Sequence, residues 1–116
     1  MRHSQIYLRF LHLTQAISGE LPSSSVDFSA LRLLEAVAVA YAKGSPLTVT
    51  NAMELNTIAS PATLHRKLDV LREAGLIDQV FEGTNRRTKY LSPTKAAAQY
   101  FDRMGKALEQ AAKQDA

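Results

Sequence analysis

The sequence contains no cysteine, which excludes disulfides, thiolate metal sites and a thiol redox switch. No apolar run is long enough to cross a bilayer. The opening Met1-Arg2-His3-Ser4-Gln5 leads into alternating polar and apolar residues, not into a signal-peptide core. A cytoplasmic protein with no membrane attachment is therefore expected. There is no glycine-rich phosphate loop, no nucleophile-base pairing stands out, and the scattered carboxylates form no evident acid pair. His3, His12 and His65 are dispersed and lack the neighbours of a metal site. Neither catalysis nor a bound metal or cofactor is expected.

What is present describes an ordinary folded chain. Its 116 residues suffice for one domain and not for two with separate cores. Hydrophobic residues make up 46% and charged residues 22%, both usual values for a globular protein. A net charge of +3 suits an anionic partner only weakly, so the placement of the charges matters more than their sum.

The chain has no internal repeat, and Leu21-Pro22-Ser23-Ser24-Ser25 reads as a linker. Before it, Ile6, Phe10, Leu13 and Ile17 form one stripe of an amphipathic helix ended by Gly19. After it, Asp27 can cap a helix whose apolar face is Leu31, Leu34, Ala38 and Tyr41, with Lys43-Gly44 as its stop. A short helix between Leu47 and Leu55, capped by Thr48 or Thr50, would turn Ala52, Met53 and Leu55 inward. Ser60-Pro61 then pairs a preferred cap with a proline that loses no hydrogen bond at the first helical position. This pair opens a helix with Leu64, Leu68 and Leu71 on its buried side, which Ala74-Gly75 ends.

From Leu76 to Phe81 the pattern becomes that of a strand. Glu82-Gly83-Thr84-Asn85 is turn chemistry, and Arg87 to Leu91 returns as a second strand. Ser92-Pro93 repeats the cap-then-proline start for a last helix striped by Ala97, Phe101, Met104, Leu108 and Ala111. The expected fold is mostly α with a small β-hairpin wing: a winged helix-turn-helix with flanking N- and C-terminal dimerisation helices. Three segments follow, namely 1–24 (helix and linker), 25–92 (the DNA-binding core) and 93–116 (the second dimerisation helix).

In such a fold the second helix of the pair enters the major groove of double-stranded DNA. The leucine stripe leaves Ser60, Ala62, Thr63, His65 and Arg66 on its outward face near the start. Arg pairs bidentately with guanine, while Ser and Thr bond phosphates or bases. The hairpin adds Thr84, Asn85, Arg86, Arg87 and Lys89, types suited to a narrow minor groove but equally to a charged edge that blocks strand pairing. The terminal helices have stripes too wide for so small a domain to cover. Ile6, Phe10, Leu13 and Ile17, with Phe101, Met104 and Leu108, are therefore the expected homodimer contacts. Tyr7, Phe10, Tyr41, Tyr100 and Phe101 either line a pocket for a small-molecule effector or simply pack.

Three stretches carry a family resemblance: Leu47-Thr48-Val49 through Leu55, Ser60 through Arg66, and Leu71-Arg72-Glu73-Ala74-Gly75-Leu76-Ile77. Together they resemble the DNA-binding core of MarR-type transcriptional regulators over roughly Phe28 to Thr94, and Leu91-Ser92-Pro93 is similar to the family's Leu-Thr-Pro after the wing. The wing departs from the family in having no acid at its tip, and Lys95-Ala96-Ala97 stands where a glycine is usual. The resemblance implies a dimeric regulator, a repressor or activator, on a pseudo-palindromic operator and often released by a small ligand. A winged helix serving as a protein-interaction module in a larger assembly is the alternative.

Overall fold

Helix caps and turns written into the chain account for most of the element boundaries. The computed structural model describes residues 2–19, 21 and 25–113. The Pro22-Ser23-Ser24 part of the expected linker lies outside the described residues. The order is α1 (Arg2–Ser18), α2 (Phe28–Ala42), α3 (Val49–Met53), α4 (Pro61–Glu73), β1 (Ile77–Phe81), β2 (Lys89–Pro93) and α5 (Lys95–Lys113). The chain divides into two units, one of Met1–Leu21 with Ala98–Ala116 and one of Pro22–Ala97.

In the Pro22–Ala97 unit, α2 starts at Asp27, whose Oδ1 accepts the Ala30 N–H at 3.0 Å. Its other oxygen receives Lys67 Nζ of α4 at 2.6 Å, so one carboxylate caps a helix and ties it to a second. The lysine hydrogen bond and the capping amides hold the Asp27 carboxyl below the ordinary aspartate range. A depressed folded-state value means that the unfolded chain binds this proton more readily. The stabilisation is therefore complete above the unfolded aspartate pKa and disappears as pH falls through the folded one. Asp27→Ala is expected to cost about 0.5–2 kcal/mol at neutral pH, in the range for a lost cap. Urea unfolding of both proteins should show that gap narrowing in acid.

The core gathers Ala30, Leu33, Leu34 and Val37 of α2, Ala52 of α3, Leu64, Leu68 and Leu71 of α4, and Leu76, Ile77 and Leu91 of the hairpin region. The buried face of α2 is thus rotated from the Leu31, Leu34, Ala38 and Tyr41 stripe expected from spacing, since Leu31 and Ala38 are half-buried and Tyr41 is exposed. Apolar residues surround most of this helix, so periodicity alone does not choose its inward side. α2 packs against α4 and β2, and that contact makes the choice.

The hairpin is antiparallel, with Ile77 opposite Pro93, Gln79 opposite Leu91 and Phe81 opposite Lys89. On its other side β2 meets the segment before α3: Leu91 N–H donates to Leu47 O at 2.7 Å, and Thr48 bridges Tyr90. Two expectations change here. The second strand begins at Lys89, not Arg87, because the loop backbone folds onto Asn85 instead of pairing. Ser92-Pro93 ends β2 and does not open the last helix. Thr94 does so, its hydroxyl accepting the Ala97 N–H at 3.2 Å while donating to Gly75 O at 2.6 Å. Pro93 sits at the strand's last position, where no further ladder bond is needed.

In the other unit, Ile6, Phe10, Leu13 and Ile17 of α1 are half-buried, while Tyr7, Leu8 and Leu11 are exposed. Tyr100, Ala107 and Ala111 are the buried residues of its part of α5. Phe101 and Met104 are half-buried, and Leu108 remains 54% exposed. Arg9 donates to the Ala111 carbonyl through Nε at 3.3 Å and Nη2 at 3.2 Å, supplying a cationic partner to a carbonyl in the last turn of α5. No helix among the described residues is long and apolar enough to cross a membrane.

Candidate nucleic-acid interface

The outward face of α4 is built from its first turn. Ser60 caps it with an extended backbone, and its Oγ accepts the Thr63 N–H at 3.3 Å. The same hydroxyl donates to Thr63 Oγ1 at 3.1 Å, and Arg66 Nη2 donates to that oxygen at 3.0 Å. Ser60, Thr63 and Arg66 thus form a side-chain relay along successive turns. It holds the guanidinium back toward the N-terminus, the end of the helix that favours anions. Ser60, Ala62, His65 and Arg66 are exposed, and Thr63 is half-buried. Thr63 therefore supports Arg66 more directly than it faces outward.

The far end of α4 is fixed as firmly. Gly75, at φ 74°, follows the Ala74 cap. Its N–H donates to Arg72 O at 3.0 Å, and Leu76 N–H donates to Leu71 O at 2.9 Å, the paired bonds of a Schellman ending. Leu71 and Leu76 are both buried beneath it. With the leucine face inward and both ends capped, the relay face cannot rotate away from solvent.

Lys67, next to the relay, is withdrawn from this surface by its ion pair with Asp27. Arg72 likewise pairs with Asp69 at 3.7 Å. A groove of about 580 Å³ beside the C-terminal half of α4 is lined by Asp69, Glu73 and Asp78 together with Arg72 and Lys89. Those carboxylates make that half a poor host for phosphate, which leaves the N-terminal half as the cationic end.

The wing supplies further positive charge. Asn85 Oδ1 accepts the backbone N–H of Arg87 at 2.9 Å and of Thr88 at 3.4 Å, while Asn85 N–H donates to Glu82 O at 3.1 Å. Gly83 takes φ 54° in the same turn. Asn85 therefore shapes the tip, and its side-chain oxygen is committed to doing so. Thr84, Arg86, Arg87 and Lys89 are exposed. Arg86 lies 5.5 Å and Lys89 5.6 Å from the centre of the Phe81 ring. A second groove of about 450 Å³ lies between the start of α3 and the wing, lined in part by Thr48, Thr50, Phe81, Arg86, Arg87 and Lys89.

All ten expected contact residues lie in the Pro22–Ala97 unit, five at the start of α4, where Thr63 is half-buried, and five on the wing. Phe81, Thr48 and Thr50 were not among them. Phe81 comes opposite Lys89 only through the strand register, which the folded hairpin sets. The contact of Leu47-Thr48 with β2 is long-range and leaves no local trace. Neither groove is lined by Tyr7, Phe10, Tyr41, Tyr100 or Phe101. Among the described residues no group of three or more His, Cys, Asp or Glu side chains could hold a metal ion.

Comparison with known proteins bears on the fold. No protein-family model matches the chain, and a search of curated proteins finds no match. Solved structures do match it. A MarR-like transcriptional regulator from Thermotoga maritima is 20% identical, with a TM-score of 0.63, over 94% of this chain and 77% of its own. MarR from Staphylococcus aureus, solved with salicylate and kanamycin, is 21% identical, with a TM-score of 0.57, over 96% of this chain and 71% of its own. YusO from Bacillus subtilis is 23% identical, with a TM-score of 0.51, over 93% of this chain and 76% of its own. The chain has the MarR-like winged-helix fold, mostly helical with a two-stranded antiparallel hairpin.

Proposed function

We propose that this chain is a sequence-specific, double-stranded DNA-binding transcriptional regulator that acts as a homodimeric repressor on a pseudo-palindromic operator. One observation carries the reading: the Ser60–Thr63–Arg66 relay on the exposed start of α4, in the same unit as an exposed wing bearing Arg86, Arg87 and Lys89. In this reading Arg66 and His65 meet base edges, the Ser60 end meets phosphate, and the wing cations follow the adjacent backbone or minor groove. The MarR-like fold supports it, as does the order of elements, in which α3 and α4 follow one another directly before the hairpin.

Dimerisation rests on the terminal helices. Ile6, Phe10, Leu13 and Ile17 are only half-buried in one chain, as are Phe101 and Met104, and Leu108 is exposed. A second copy that covers them would present two α4 helices about one DNA turn apart, ~34–36 Å. An effector that releases the DNA belongs to the same reading, supported by the salicylate found with the S. aureus neighbour.

Selection of bound fragments from a random duplex pool tests the proposal. Enrichment of a two-fold related sequence is expected, with log affinity falling about 0.9 per log salt for each phosphate neutralised. The same selection repeated with salicylate should retain less DNA, and sedimentation should give twice the chain mass. If nothing is enriched while another protein is captured specifically, the interaction-module reading replaces this one.

A further inference from the structure

We propose that Phe81 is a positioning residue that holds the wing's cations ready for DNA, an inference that rests on the DNA-binding reading above. The residue stands at the end of β1, where alternation puts it on the same side as Ile77 and Gln79. Ile77 is buried and Gln79 half-buried, but Phe81 is 39% exposed, so this face of the hairpin ends in an aromatic ring beyond the core. Lys89 is its direct cross-strand partner, with Nζ 5.6 Å from the ring centre. Arg86 reaches the same ring from the loop at 5.5 Å.

These distances are within cation–π range, where the negative face of the ring attracts a guanidinium or ammonium group. Among the described residues, neither Arg86, Arg87 nor Lys89 has a carboxylate within ion-pair reach. Without the ring, Arg86 and Lys89 would be long, freely rotating side chains on an open turn. Each would lose that freedom on meeting DNA, which weakens binding. A ring restrains them beforehand and, unlike a carboxylate, leaves their full charge available to phosphate.

The arrangement separates two properties that a missing cation would change together. Removing Phe81 leaves the number of cations unchanged, so the salt slope should persist while affinity falls. Phe81→Leu keeps an apolar side chain but removes the π face, and Phe81→Tyr restores it. We expect Phe81→Leu to bind the selected duplex about three- to tenfold more weakly at fixed salt, with Phe81→Tyr close to wild type. In the free protein, NMR should show the Arg86 δ-methylene and Lys89 ε-methylene protons shifted by the ring, and these shifts should vanish in Phe81→Leu.

Thermal unfolding of each variant shows whether it is folded, and Phe81→Tyr carries the comparison if Phe81→Leu is not. Wild-type affinity in a folded Phe81→Leu protein, or no ring shift in wild type, would overturn the positioning role. So would a Phe81→Tyr variant as weak as one folded without the ring. If wild type enriches no duplex, the DNA-binding reading fails and takes the role in DNA binding with it. The NMR shifts would then report only whether the ring orders the cations.

Discussion

Replacing Arg66, Arg86 and Arg87 together by alanine is expected to weaken binding to the selected duplex by on the order of a thousandfold at physiological salt. Two separable contributions add to that loss. Arg66 presents its planar fork from an exposed turn of α4, braced by Thr63 at 3.0 Å, a geometry suited to the two acceptors of guanine. Such a contact discriminates by about 1–3 kcal/mol, so Arg66→Ala alone should flatten the preference at one base position in each half-site. Arg86 and Arg87 are expected to contribute mainly through charge. Losing both should lower the salt slope by about 2 for each protomer in contact, weakening binding almost evenly across sequences. Competition titrations at several salt concentrations, against the selected duplex and a scrambled one, distinguish these effects. A triple variant that binds like wild type would show that α4 and the wing are not the DNA contacts.

The second large effect concerns the platform beneath the site. Leu68→Ala is expected to destabilise the fold by about 2–5 kcal/mol, the range for truncating a buried leucine. Leu68 is 2% exposed, at the centre of the stripe through which α4 packs, and α4 touches α2, α3 and β1. Relaxation around the cavity is limited because α4 is capped at both ends by Ser60 and Gly75. The loss is a large part of a typical domain's total of about 5–15 kcal/mol. Urea unfolding should show a lower midpoint with an unchanged slope. A change below about 1 kcal/mol would mean that the site collapses to fill the space.

Local chemistry was sufficient wherever a structural decision was itself local. Ser60-Pro61 and Gly75 bound α4 because a cap needs only a side chain and its neighbouring amides, or a residue free to take positive φ. Asp27 was legible as a cap for the same reason, while the sequence left Thr48 and Thr50 as alternatives and the structure uses Thr48. The leucine stripe told the inside of α4 from its outside, and with that the candidate contact residues of that helix, because the remainder of it is polar.

Where several local choices were nearly equal, long-range packing decided. α2 is apolar on most sides, and its contact with α4 and β2 selected Leu33 and Val37 over Leu31 and Ala38. Ser92-Pro93 has the chemistry of a helix start, but pairing of Pro93 with Ile77 claimed it for the strand, and Thr94 became the cap through its bond to Gly75. The tertiary fold also joined Lys67 to Asp27, taking one of the two cations in the run His65-Arg66-Lys67 away from the surface. Strand register brought Phe81 beneath the wing. A sequence lists which residues are basic, but the charge each leaves for a partner depends on neighbours that only the folded chain brings within a few ångströms.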